Sequence, residues 1–260
     1  MITSIQYALH KAGDLIISRY GKHASYDFKE SRSSIVTETD LESEKIIIDL
    51  IEKSNPGHNI LSEESGFLDR NSEYTWVIDP LDGTSNFVAG IPWFGILIAV
   101  LKNGIPHSAG AFLPVQDRYY LAGKGKGATL NGRPLKVSNE DPADCLLAFS
   151  ADPTDDPVHL KRITEFYTRA IRISRNVRST NSLNEMLMVA EGRFGGCINM
   201  STKIWDIASP WLIIREAGGL FVNVDGSEID FSAGILNPDK SYTVMGGGEK
   251  IVQMMRGMRE

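Results

Sequence analysis

Apolar residues recur at helical spacing from the start of the chain. Ile5, Ala8, Leu9, Ala12, Leu15 and Ile16 share one face of a 3.6-residue period, and Gly21 supplies a stop. A second helix is predicted from Thr37 or Thr39, because Thr37 with Asp40 and Thr39 with Glu42 both have capping-box spacing. Leu41, Glu44, Ile47, Ile48 and Ile51 continue its period, and Asn55-Pro56-Gly57 ends it. The pattern then changes to short apolar runs: Trp76–Ile78, leading into Asp79-Pro80, then Phe94–Leu101, Ser108–Leu113 and Arg118–Ala122. Lys102-Asn103-Gly104 and Asn131-Gly132 read as turns between them, so this stretch predicts an antiparallel sheet. The last third alternates. Strands are predicted at Leu146–Ser150, Phe194–Ile198 and Thr243–Met245, and helices at Val158–Ala170, Asn184–Ala190, Asp206–Ala217 and Glu249–Met258. Gly218-Gly219 closes the third of these helices.

No repeat, low-complexity tract or linker interrupts this order. The expectation is one compact unit over residues 1–260, with sub-regions of about 1–140 and 141–260. The fold class is α/β (α+β). Hydrophobic residues make up 42% of the chain, enough for a large core. The longest apolar run has eight residues, against about 20 for a membrane-spanning helix. No signal segment is visible, and the two cysteines, Cys145 and Cys197, form no CxxC pair. A cytoplasmic location without membrane attachment follows as the expectation. Net charge is -6, which argues against a nucleic-acid partner, because that would need an excess of basic residues.

The chemistry concentrates in Asp79-Pro80-Leu81-Asp82-Gly83-Thr84-Ser85-Asn86-Phe87. Two acids follow an apolar strand, Pro80 removes a donor, and Gly83 permits a tight turn before a helix opens at Thr84 or Ser85. Such a turn can aim both carboxylates at one point and set free N–H groups beside it for phosphate. In isolation the same segment is most often a surface turn. Glu63-Glu64 follows the β-like Asn59-Ile60-Leu61, and Trp205-Asp206 opens a helix. Glu63-Glu64 alone reads as a solvated turn, and Asp206 alone as a helix cap.

Taken together, these motifs make the chain resemble the inositol monophosphatase family of Mg²⁺-dependent phosphatases. The resemblance rests on Glu63-Glu64, the Asp79–Phe87 segment, Trp205-Asp206-Ile207-Ala208 and Glu216-Ala217-Gly218-Gly219. Val36–Asp40, Gly125-Lys126-Gly127-Ala128 and Asn131-Gly132 add to it. It spans almost the whole chain and implies a layered α-β-α-β-α sandwich, of the type shared with fructose-1,6-bisphosphatase, often dimeric. It implies a first Mg²⁺ on Glu63, Asp79, the Leu81 carbonyl and the Thr84 hydroxyl. A second would be shared by Asp79 and completed by Asp82 and Asp206, and a weaker third would lie near Glu63. Gly83 and Thr84 N–H groups would bind phosphate, with Ser85 also on the substrate side. Thr84, held by Asp40, would orient the attacking water. Inhibition by Li⁺ is implied as well.

The donor set suits that metal. Mg²⁺ prefers oxygen ligands, and the histidines at 10, 23, 58, 107 and 159 show no zinc-like spacing. Gly123-x-Gly125-x-Gly127 is followed by a strand and turn rather than a helix, so it does not read as a dinucleotide loop. The alcohol side departs from the family. Its acidic residue seven positions before the Trp-Asp aspartate is Asn199 here, and its Gly-Ser/Thr-Ala-Ala loop reads Thr180-Asn181-Ser182-Leu183-Asn184. Asn199 and Ser182, with Asp82 and Asp206, are the candidate substrate contacts. The expected substrate is a small polyol or sugar-like phosphate, inositol monophosphate first. Histidinol-phosphate, fructose-1,6-bisphosphate and 3′-phosphoadenosine phosphatases are the alternatives. Some relatives serve as partners of transcription machinery, and that reading stays open.

Overall fold

The computed structural model describes residues 1–22, 25–29 and 35–256. Helix α1 (Ile2–Arg19) is followed by the short hairpin β1 (Tyr26–Phe28) and β2 (Ile35–Thr37). Helix α2 (Glu38–Ser54) starts at the first of the two predicted positions. Thr37 is its N-cap, and Asp40 closes the capping box by accepting from the Thr37 backbone N–H at 3.0 Å. Strands β3 (Asn59–Ser62) and β4 (Gly66–Leu68) precede the long β5 (Tyr74–Asp82), the one-turn α3 (Thr84–Val88) and β6 (Gly95–Lys102). Next come β7 (Ile105–Leu113), β8 (Arg118–Gly123), β9 (Gly127–Leu130) and β10 (Arg133–Pro134). The last part holds β11 (Leu146–Ser150), α4 (Pro157–Ile173), β12 (Asn176–Arg178), α5 (Asn184–Ala190) and β13 (Gly196–Thr202). It ends with α6 (Ile204–Glu216), β14 (Leu220–Asn223), α7 (Phe231–Leu236), β15 (Tyr242–Gly247) and α8 (Glu249–Arg256). The final two residues of the last predicted helix, 257–258, lie outside the described residues, as does His23.

The strands form an eight-stranded sheet in the order β10-β9-β8-β7-β6-β5-β3-β4 and a five-stranded sheet in the order β12-β11-β13-β15-β14. The first is antiparallel except for β3 beside β5. In the second, β12, β11 and β13 run parallel. Alternation along β6 sorts the layers. Ile96, Ile98 and Val100 pack with Ile5, Leu9 and Ile47 of α1 and α2. Leu97, Ala99 and Leu101 face the opposite way, toward Leu187 of α5, Ile207 and Ile213 of α6, and Val244 of the second sheet. Beyond that sheet, Leu147, Ile198 and Met245 pack with Ala170 of α4 and Val252 of α8. The result is the α-β-α-β-α sandwich. Each fully buried aliphatic side chain contributes about 1.5–3 kcal/mol.

One irregularity positions the chemistry. The predicted turn at Asp79-Pro80 is instead strand, and β5 carries a bulge there. Asp79 pairs with Leu97 and Asp82 pairs with Gly95, so Pro80 and Leu81 on β5 together oppose Ile96 on β6. In a regular strand, residues three apart point to opposite faces. The extra residue restores the phase and turns both carboxylates to the same side. Backbone groups freed there find partners within the protein. Pro80 has no N–H, and its carbonyl accepts from Ser43 Oγ at 2.7 Å. Leu81 N–H donates to Asp79 Oδ1 at 3.1 Å. Gly83, at φ 80°, then takes the left-handed conformation that ends the strand.

Gly95 stands opposite the bulge, and a Cβ there would lie 2.3 Å from the Phe112 carbonyl oxygen. Backbone cannot yield as a side-chain tip can. Gly95→Ala is expected to destabilise the fold by about 1–3 kcal/mol, measured by urea unfolding.

Candidate active site

Asp79, Asp82 and Asp206 each bring a carboxylate oxygen to within 4.8 Å of the others. Asp79 and Asp82 come from the bulged end of β5. Asp206 comes from the second sheet's side of the molecule. It is the third residue of α6, not its cap, because the helix starts two residues earlier than predicted, at Ile204. Its Oδ2 accepts from Thr202 Oγ1 and from the Lys203 N–H, both at 2.7 Å, which fixes the carboxylate. Asp82 is held by the Leu183 N–H at 2.7 Å.

Glu63 follows β3, whose parallel register sets Ser62 beside Ile78. Its N–H donates to the Ile78 carbonyl at 3.1 Å, so Glu63 sits next to Asp79. Glu44 of α2 secures the turn by accepting from the Glu64 and Ser65 N–H groups at 3.2 and 3.0 Å. Glu63 Oε1 pairs with Lys29 Nζ at 2.9 Å, and Glu64 pairs with the same ammonium. Lys29 belongs to a stretch with no hydrophobic period, and no sequence signal marked it.

Thr84 opens α3. Its Oγ1 lies 2.8 Å from Asp40 Oδ1 and 3.0 Å from the Leu81 carbonyl oxygen. Its single proton goes to one of them, and the carboxylate is the closer and the stronger acceptor. Asp40 is 1% exposed and also accepts from the Thr37 hydroxyl. Its helix-capping role and its bond to Thr84 use the two oxygens separately.

Electrostatics at this point are unfavourable for the bare protein. Burial raises the Asp79 carboxyl well above the usual range, and Glu63, Asp82 and Asp206 add repulsion. Burial and Asp206 raise Asp82 in the same way, against the hydrogen bond from Leu183. Asp206 is pushed up to about 7 by burial and then by Glu63. Burial, then Glu63, pushes Glu64 up to about 7, while Lys29 opposes the shift. Burial works against the Lys29 charge, but the two glutamates outweigh it and raise the ammonium.

Lys29, Glu63, Asp79, Asp82 and Asp206 line a cavity of about 430 Å³. Leu81, Gly83, Thr84, Ser85, Ser182 and Asn199 line it too, so it brings together the predicted substrate-side residues with the acids. Asp40 stands behind Thr84. Asp152, Asn181, Lys203 and Asp239 also face the cavity and were not singled out from sequence. Glu185, 3% exposed, fastens the substrate-side loop: it accepts from the Thr180 and Asn181 N–H groups and from Ser150 Oγ. An acid leading into the apolar run Met186–Ala190 of α5 was the available signal. The glycine-rich hairpin lies elsewhere in role. Its Gly125, Lys126 and Gly127 N–H groups donate to the Glu216 carboxylate, so this nest of donors holds a side chain of the protein itself. Both cysteines are free and buried, with burial pushing Cys197 up to about 12.

The family model of the inositol monophosphatases matches residues 1–248. The chain belongs to the inositol monophosphatase family. Nus factor SuhB of Escherichia coli (strain K12) is 31% identical over 257 residues, covering 97% of this chain and 93% of that protein. The crystal structure of extragenic suppressor protein suhB from Bartonella henselae superposes with a TM-score of 0.89 at 28% identity, over 99% of this chain and 98% of that one. A Thermotoga maritima IMPase superposes with a TM-score of 0.84 at 28% identity, over 97% and 95% of the two chains. In this family member, the acid cluster is the one group of three or more metal-capable His, Cys, Asp or Glu side chains among the described residues.

The cluster suits a hard divalent cation. All its donors are oxygens, they converge, and their mutual repulsion calls for positive charge. In the folded chain these carboxyls titrate above their unfolded values, so folding favours their protonated forms. That contribution is present in acid and is lost as pH rises through about 7, where Asp206 ionises. Without divalent cations, this contribution to the melting temperature is expected to be lost between about pH 4 and pH 7. At the upper pH, Mg²⁺ at about a hundredfold excess over its Kd should return about 2.7 kcal/mol. A flat pH profile in EDTA, with no rise on adding Mg²⁺, would contradict this account of the cluster.

Proposed function

We propose that this chain is a Mg²⁺-dependent phosphomonoesterase acting on a small polyol or sugar-like phosphate, inositol monophosphate first. The observation that supports it most is the convergence of Asp79, Asp82 and Asp206 within 4.8 Å, beside the Thr84–Asp40 pair. Glu63, Asp79, the Leu81 carbonyl, Asp82 and Asp206 are the residues that would hold two or three Mg²⁺. Bound there, the ions would neutralise the carboxylates, polarise the phosphoryl group and favour ionisation of water.

The chain's own residues then divide the work. Free N–H groups of Gly83 and Thr84, at the start of α3, receive phosphate oxygens, and Ser85 stands beside them. Thr84 Oγ1 directs its proton to Asp40 Oδ1 and so presents a lone pair toward the cavity. A water that donates to this lone pair is oriented toward phosphorus. As it attacks phosphorus, its proton passes to Oγ1 while the Thr84 proton moves to Asp40, the P–O bond to the alcohol breaks with its electron pair going to the alcohol oxygen, and that oxygen takes a proton from water in the cavity. Burial raises the Asp40 carboxyl, which suits it to accept that proton.

Thr84→Ala and Asp206→Asn are each expected to lower Mg²⁺-dependent phosphate release by about 10²-fold or more, with circular dichroism unchanged. Full activity in either folded variant would sink the mechanism. A screen over inositol, histidinol, fructose bis- and adenosine phosphates ranks the substrates. Inhibition by Li⁺ in the same assay, a cytoplasmic location and a homodimer in sedimentation belong to this reading. Among the described residues, no helix is long and apolar enough to cross a membrane.

A second reading is favoured by the name Nus factor SuhB borne by relatives such as the E. coli protein. In it the chain is a partner of transcription machinery, and phosphatase activity is incidental. It stands against the expectation of no nucleic-acid partner, which rested on net charge. Capture of transcription complexes by the Thr84→Ala variant at low Mg²⁺ supports it, and loss of capture with catalysis counts against it.

A further inference from the structure

The acids and Thr84 account for one side of the cavity. The other side is built where the parallel strands of the second sheet end. Asp152 lies just beyond β11, Asn181 just beyond β12, and Asn199 late in β13, paired with Ser150. All three line the cavity. The carboxyl ends of parallel strands are where such sheets receive ligands.

Their hydrogen-bonding capacity is only partly used. Asn181 Nδ2 donates to Asp152 Oδ1 at 3.0 Å, tying the two loops together. The other Asp152 oxygen has no hydrogen-bond partner among the described residues. Asp152 is near enough to Asp206 to raise its carboxyl. Asn199 Oδ1 accepts from the Ser201 N–H at 3.0 Å, which fixes the orientation of the amide. Its NH₂ group is left as what it offers. Lys203 Nζ is spent on the Asp239 carbonyl at 2.7 Å. The wall therefore presents a pure acceptor, Asp152, and a pure donor, the Asn199 amide.

We infer that Asp152 is a specificity-determining residue, whose free oxygen accepts a hydrogen bond from a hydroxyl of the alcohol being released. This rests on the phosphatase reading above and narrows it. Neighbouring hydroxyls both donate and accept, so one polyol serves Asp152 and Asn199 together. An ammonium serves Asp152 and leaves the amide without an acceptor. A plain alkyl or aryl group serves neither. A second phosphate would meet the Asp152 charge at short range and be repelled. The fitting substrate class is the monophosphate of an uncharged vicinal polyol.

The test compares inositol 1-phosphate with cyclohexyl phosphate, which keeps the ring and lacks the extra hydroxyls. The kcat/KM of each is measured with Mg²⁺ for the wild type and for Asp152→Asn. The asparagine can keep its carbonyl on Asn181 and turns the free acceptor into a donor. The wild type is expected to prefer inositol 1-phosphate, and the substitution to cut that preference about tenfold or more. A role confined to bracing Asn181 would lower both esters alike, and an unchanged ratio overturns the inference. So does a wild type with no preference between the esters. Turnover of neither ester by the wild type overturns the phosphatase reading along with it, which distinguishes the two failures.

Discussion

Negative charge held out of water is the constraint on which this structure turns. Asp79, Asp82 and Asp206 converge in a cleft where the first is buried and the other two half-buried, and Glu63 adds its field to all three. Such a cluster would relax apart if its members were mobile. Each is instead anchored by backbone or by a short side-chain bond: Asp79 through Leu81, Asp82 through Leu183, Asp206 through Lys203 and Thr202. The anchors also stabilise the ionised forms, yet burial wins and the carboxyls stay raised. The fold thus keeps a standing deficit of positive charge at one point. Lys29 answers it locally at Glu63 and Glu64. The three aspartates have no such ammonium paired directly with them among the described residues.

Holding that cluster requires both sheets. The eight-stranded sheet supplies the bulged end of β5 and the adjoining Glu63. The α6 start, bearing Asp206, packs between the sheets, where Ile207 and Ile213 join the shared core. The bulge is held by backbone groups that it frees and reuses. Ser43 serves the Pro80 carbonyl, and Asp79 serves the Leu81 N–H. The convergence of the acids and the reuse of backbone groups are here one arrangement. Thr84 extends it, since Asp40 caps α2 with one oxygen and holds the Thr84 hydroxyl with the other.

The substrate side is organised on different terms. Glu185 pins the Thr180–Asn181 backbone, and Asp152 and Asn181 bridge two loop ends. These contacts join residues far apart in sequence through polar groups that face open volume. They leave an acceptor and a donor unspent, which is how a wall selects a ligand rather than merely bounding it.

The helical periods, the capping box at Thr37, the Asn-Gly turns and the apolar strands were legible because they are local. Each follows from 3.6- or 2-residue spacing or from a preferred φ, and the structure departs from them mainly at element ends. The acid motifs were legible too, because their residue types and order resemble one family. How they converge was not legible. A segment of Asp-Pro-Leu-Asp-Gly reads locally as a turn. Only pairing against β6 makes it a bulged strand that puts two acids on one face. Lys29 and Asp152 were invisible for the same reason, since their partners are set by loops meeting across the sheets. The sequence by itself determined which groups could bind a cation. The tertiary structure decided which of them meet, because convergence depends on register and on packing between layers.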